Sequence, residues 1–169
     1  METGSKMSTE KVTGQKVAIL TIQEVKVVNK PWGFEKWIAG GKPDFPYALK
    51  EIFIRAPYQS SLQFHKDKQE TNYVQKGKGF LHYSDERIDV RRYKDGGYSA
   101  GELNVLTAGI KKKELSPGIV FHVFPGFLHR VEAVEDLWMM ESSTVELDDV
   151  YRLQDDAARP HGRIENEHR

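Results

Sequence analysis

From Val17 onward the chain is cut into short apolar runs that cannot be merged into long helices. "KVAILTIQEVKVV", "YALKEIFIRA", "SLQFH", "TNYVQ", "GFLHY", "IDVRRY", "IVFHVF", "HRVEAV" and "LWMMESS" are rich in Val, Ile, Phe, Tyr and Trp. The segments "AGGKPD", "KDGG", "SAGE", "LSPG" and "FPGF" separate them. β-Branched and aromatic side chains suit a pleated surface, and Gly and Pro supply the backbone angles of tight turns. No stretch between residues 17 and 145 keeps a helical period for three turns. Such a pattern predicts an all-β antiparallel sandwich or barrel. The expected organisation is a flexible lead over residues 1–16, a barrel over 17–153 and a polar tail over 154–169. The charged stretch from Glu146 has room for one short helix.

Composition narrows the function classes. Lys plus Arg and Asp plus Glu number 25 each, so the chain lacks the basic excess of a general nucleic-acid binder. There is no cysteine, so a metal would have to be held by nitrogen and oxygen. No apolar run approaches the roughly 20 residues of a membrane helix. The opening "METGSKMSTEKVTGQK" lacks the apolar centre of a signal peptide, so a cytoplasmic location is expected.

Polar residues at strand positions carry the chemistry. In "SLQFH", Gln63 and His65 lie two apart and share one face, while Leu62 and Phe64 share the other. Glu70 opens the next run, and a hairpin would bring it beside His65. In "FPGFLH", Pro125 and Gly126 make a turn and His129 starts the following strand. If that strand returns over the same sheet, His129 joins His65 and Glu70. Two imidazoles and one carboxylate suit a divalent ion such as Fe, Mn, Ni or Zn, with Gln63 as a weaker, neutral fourth ligand. Each of these residues alone is better explained by a satisfied polar group in the core; the set points to a metal.

These two segments resemble the two signature motifs of the cupin superfamily. The first is His65, Glu70 and Gly77; the second is Pro125, Gly126 and His129. "NKPWGFEKW", "SLQFHKDKQETNYVQKGKG", "ELSPGIVFHVFPGFLHRVE" and "ESSTVELDDVYRLQDD" further resemble, in the same order, the cupin domain of type II mannose-6-phosphate isomerases. The resemblance covers nearly all of residues 29–156 and implies a double-stranded β-helix, or jelly roll. It also implies a metal held by Gln63, His65, Glu70 and His129, a sugar or sugar phosphate substrate, aldose–ketose isomerisation or epimerisation, and a homodimer. Where that family has a second histidine this chain has Asp67, a reserve ligand. The spacing of His65, Lys68 and Glu70 is similar to that in cupin-type pentose isomerases, where a lysine lies near the metal. Lys68 is then either a base with a lowered pKa or an exposed turn residue. The same ligand set would also serve an Fe(II) dioxygenase or a non-catalytic sugar-binding cupin.

The remaining candidates divide between packing and binding. His82 and His122 are expected to pack within strands, and His161 and His168 to lie in the polar tail. Trp32 and Trp37 either stack on a sugar or anchor the core. Arg55 and Arg130 stand ahead of the lysines at 111–113 as partners for a phosphate.

Overall fold

Alternation decides which way each strand faces. In the computed structural model, which describes residues 17–41, 43–159 and 162–163, the strand Ala48–Ile54 buries Ala48, Lys50, Ile52 and Ile54 and leaves the intervening residues half-buried. Other strands behave alike. The described strands are β1 (Lys26–Lys30), β2 (Gly33–Gly40), β3 (Ala48–Ile54), β4 (Leu62–Phe64), β5 (Glu70–Lys76) and β6 (Gly79–Arg87). They continue with β7 (Lys111–Leu115), β8 (Val120–Val123), β9 (Phe127–Ala133), β10 (Leu137–Ser143), β11 (Tyr151–Gln154) and β12 (Gly162–Arg163). Two six-stranded antiparallel sheets result, in the orders β1-β2-β3-β10-β5-β8 and β12-β11-β4-β9-β6-β7. After β3 the chain crosses repeatedly from one sheet to the other, which is the jelly-roll winding that the resemblance implies.

The main core lies between the sheets. Ile54, Val74, Leu115, Ala133, Leu137 and Met139 are buried there with Trp32. A second apolar cluster, with Leu62, Phe64, Ile88, Leu128 and Tyr151, covers the outer face of β4 and β9. Phe64 and Tyr151 stack with ring centroids 5.0 Å apart, and Tyr93 meets Phe64 edge-on. Thus β4 is buried on both faces, with apolar residues outward and polar ones inward.

Several local expectations change. "IDVRRY" is not a strand: Asp89 caps the short helix α1 (Val90–Lys94) by accepting a hydrogen bond from Arg92 N. A second helix, α2 (Ala100–Ala108), follows Ser99, whose capping box with Glu102 closes its first turn. α2 buries none of its residues, so no apolar stripe marks it in the sequence. The stretch from Glu146 holds β11 and β12 instead of a helix. The first run begins its strand only at Lys26, and Val17, Ile19 and Leu20 are exposed. The lead over 1–16 lies outside the described residues.

Both motif glycines have a backbone reason. Gly77 has φ +86°, and a Cβ there would stand 2.0 Å from the Asp136 carbonyl oxygen. Gly126 has φ +86°, and a Cβ would press on the Arg87 side chain. Gly77→Ala is expected to lower folding stability by about 2 kcal/mol or more, because strain and a backbone clash act together. Urea denaturation measures this, and a wild-type midpoint would overturn it.

Candidate metal centre

Three side chains from two facing sheets meet inside the sandwich. β4 and β9 are neighbours in one sheet, with Gln63 opposite His129. His65 follows directly on β4, and Glu70 is the first residue of β5 in the other sheet. His65 and Glu70 are therefore not joined by a hairpin within one sheet; a largely exposed turn between them passes from one sheet to the other. His65 Nε2 lies 3.5 Å from Glu70 Oε2, and His129 Nε2 lies 3.5 Å from Glu70 Oε1. One ligand atom from each of the three residues falls within 4.8 Å of the others, and all three side chains are buried.

The imidazoles are oriented from behind. His65 Nδ1 bonds the backbone oxygen of Asp149, and His129 Nδ1 lies 3.2 Å from that of Phe127. A carbonyl only accepts, so each Nδ1 carries the proton and each Nε2 presents its lone pair to Glu70. His65 Nε2 is buried and has no hydrogen-bond partner among the described residues. That orphaned acceptor beside a carboxylate and a second imidazole fits a divalent metal ion. Asp149 also fixes the crossing turn. Its carboxylate accepts from the backbone N–H groups of Lys66, Asp67 and Lys68 at 3.0, 2.5 and 2.8 Å.

Behind Glu70 runs a row of alternating buried charges. Lys68 Nζ donates to Glu70 Oε2 at 2.5 Å and to Glu141 Oε1 at 2.8 Å. Lys50 Nζ lies 3.8 Å from Glu141 and 3.1 Å from Glu35, and its side chain is 2 % exposed. Lys30 and the Trp37 indole N–H also reach Glu35, at 3.7 and 3.1 Å. Three lysines thus face three glutamates out of water, where an uncompensated charge would be expensive. Glu35, Lys50, Glu141 and Asp149 were not among the sequence candidates. Alternation offered a sign of two of them: Lys50 shares its phase with Ala48, Ile52 and Ile54, and Glu141 shares its phase with Leu137 and Met139.

The charges set the protonation states. Burial alone would lower the Lys68 pKa, but the Glu141 and Glu70 carboxylates outweigh it and raise it, so the ammonium persists. Lys68 is therefore neither an exposed turn residue nor a lysine with a lowered pKa. Burial would raise Glu70, yet the Lys68 ammonium holds it well below the usual carboxylate range. Burial lowers His129 to about 4, which keeps it neutral and able to act as a ligand near pH 7.

Other candidates fall at varied distances from this centre. Gln63 lines the same cavity, with Oε1 accepting from Ser61 Oγ at 2.8 Å. The Asp67 side chain is 57 % exposed and paired with Lys66, so it is not a reserve ligand; the short turn points it into solvent. His82 pairs with Glu132 and His122 with Thr71 Oγ1, both apart from the three ligands. Trp32 is buried in the core and lines the cavity, whereas Trp37 packs under Lys26 and Lys50. Arg130 reaches Asp156 and the Gln154 backbone oxygen, and Arg55 is exposed; neither lines the cavity. His161 and His168 lie outside the described residues. Among the described residues no helix is long and apolar enough to cross a membrane.

No protein-family model matches the chain, and no curated protein matches it. Its fold is shared with solved structures. The capsular polysaccharide assembling protein CapF from Staphylococcus aureus aligns with a TM-score of 0.57 and 14% identity, over 78% of this chain and 32% of that one. Oxalate decarboxylase from Bacillus subtilis aligns with a TM-score of 0.58 and 12% identity, over 79% and 31%. KdgF from Halomonas sp. aligns with a TM-score of 0.54 and 16% identity, over 78% of this chain and 98% of that one. The chain thus spans about a third of the length of the first two and nearly all of the third. These are cupin-fold proteins, and the jelly roll described above is the cupin fold.

Two outcomes follow from the buried charges. Between about pH 6.5 and pH 4 an unfolded chain binds a proton at His129 that the folded chain refuses. Stability of the metal-free protein therefore falls as the pH drops through that window. Thermal midpoints across it should decline in the wild type and decline less in His129→Gln; equal slopes would refute this. Lys50→Met leaves Glu35 and Glu141 short of positive charge and is expected to cost about 3–5 kcal/mol in urea denaturation. A loss below about 1 kcal/mol would show that the row is not needed for stability.

Proposed function

We propose that this cupin-fold protein is a metal-dependent enzyme that isomerises or epimerises a sugar or sugar phosphate, in the manner of mannose-6-phosphate isomerase. The observation that carries the proposal is the convergence of His65 Nε2, Glu70 and His129 Nε2 on a buried polar cavity that also presents a fixed ammonium and a further carboxylate. A divalent ion held by these three residues, with Gln63 beside them, would polarise a carbonyl and acidify the neighbouring C–H. The similarity to a capsular polysaccharide assembling protein agrees with a saccharide ligand.

Moving a proton between adjacent carbons requires a group able to accept it. The Glu141 and Glu70 carboxylates favour the Lys68 ammonium, which argues against Lys68 as that base. The role passes to Glu141, whose carboxylate lines the same cavity 2.8 Å from Lys68. Glu141 takes the proton from one carbon and returns it to the next. Lys68 positions both carboxylates and offers positive charge toward an oxygen that becomes negative.

Metal content and proton exchange test the proposal separately. His129→Ala should lose the bound metal by elemental analysis while keeping its β-sheet circular dichroism. Glu141→Gln should keep the metal and lose about 100-fold or more in deuterium incorporation beside the carbonyl, followed by NMR of sugar phosphates in deuterated water. A wild type that binds sugars without any exchange would replace the enzyme with a binding protein.

A further inference from the structure

The cavity holding His65, Glu70 and His129 has a volume of about 70 Å3. That is room for a few waters and too little for a whole sugar phosphate. His129 is also a wall of a second cavity of about 520 Å3, a size suited to a small-molecule ligand. This groove is lined from β6, β7, β8 and β9, and β7 and β8 are the terminal strands of the two sheets. Tyr83, Phe124 and Phe127 contribute aromatic surface to it, and Phe124 is half exposed.

Strand register puts Lys111 and Lys113 of the basic run on one face of β7, and of these only the exposed Lys113 lines the groove. Lys113 stands opposite Leu81, which is buried in the core between the sheets. Cross-strand partners share a face, so Lys113 lies on the inward side of its edge strand. Lys112 lies on the other side and pairs with Glu132, while Lys111 pairs with Asp85. Lys113 lines the groove and has no hydrogen-bond or ion-pair partner among the described residues. Tyr83, opposite His129 in the register, likewise has no hydrogen-bond partner for its hydroxyl.

We infer that this groove binds the part of the ligand that the inner cavity excludes, and that Lys113 is the specificity residue that takes its anionic end. The ligand class is a polyhydroxy chain bearing a terminal phosphate or carboxylate. Its carbon face lies against Phe124 and Tyr83, and its other end reaches His129. The assignment of the reacting end rests on the proposed function; the groove and its lysine do not.

Calorimetric titration of the metal-loaded full chain with a hexose 6-phosphate, a hexuronate and the neutral hexose tests the assignment. The anionic ligands should bind roughly tenfold or more tighter than the neutral one. Lys113→Met should erase that preference and Lys113→Arg should keep it, with metal content unchanged in both. Which of the two anionic ligands binds tighter identifies phosphate or carboxylate as the natural terminus. A preference that survives in Lys113→Met overturns the inference, as does its absence in the wild type. Inorganic phosphate titrated into the metal-free protein and followed by NMR examines the groove alone. Shifts around Lys113 and Tyr83 that vanish in Lys113→Met support the groove even if no sugar undergoes proton exchange.

Discussion

A carboxylate enclosed between two sheets must find its compensation inside the protein, and Glu70 finds it in one ammonium and one amide. Lys68 holds Oε2, Asn72 donates to Oε1, and two imidazoles stand 3.5 Å away. Lys68 in turn needs a second carboxylate, Glu141, and the compensation continues through Lys50 to Glu35. Each member is tolerated because its neighbours have the opposite sign. Removing a member therefore leaves a charge rather than a gap, which ties the stability of the sandwich to the geometry of its centre.

The same geometry depends on where the chain changes sheets. His65 ends a stretch in one sheet and Glu70 begins a strand in the other, so the intervening turn sets their separation. Asp149 anchors that turn through three backbone N–H groups while its carbonyl oxygen fixes the His65 ring. One residue thus controls both the path of the crossing and the tautomer of a ligand. His129 approaches from the strand beside β4, so its place is set by sheet register instead.

Protonation divides the labour in the cavity. Lys68 remains an ammonium because two carboxylates hold its proton, and His129 remains neutral because burial rejects one. A fixed cation, neutral imidazoles and a nearby carboxylate are the parts on which the proposed proton transfer rests. The outer groove lies beside this centre, with Lys113 on its wall and unpaired among the described residues. Of the basic run 111–113, Lys112 faces the other side of its strand and Lys111 pairs with Asp85, which leaves Lys113 at the groove.

Much of this was legible in the sequence, for identifiable reasons. Period-two alternation put Gln63 and His65 on one face, the "FPGF" turn marked Gly126, and the resemblance of the two motifs pointed to Gly77, Glu70 and His129. The same alternation carried signs of Lys50 and Glu141, since both share the phase of apolar residues. Helix α1 is hidden in the sequence because "IDVRRY" has strand-like composition, and only its Asp89 cap marks a helix start. The sequence by itself determined the sheet architecture and the chemical types at its centre, because alternation and turn chemistry are local. Only the tertiary structure decided that Asp67 faces solvent, that Lys68 keeps its proton and that Asp149 orients His65. Those outcomes depend on which residues distant in the chain are brought within hydrogen-bond reach, as across the 84 positions separating His65 from Asp149. Solvation and charge pairing respond to that proximity and not to sequence order.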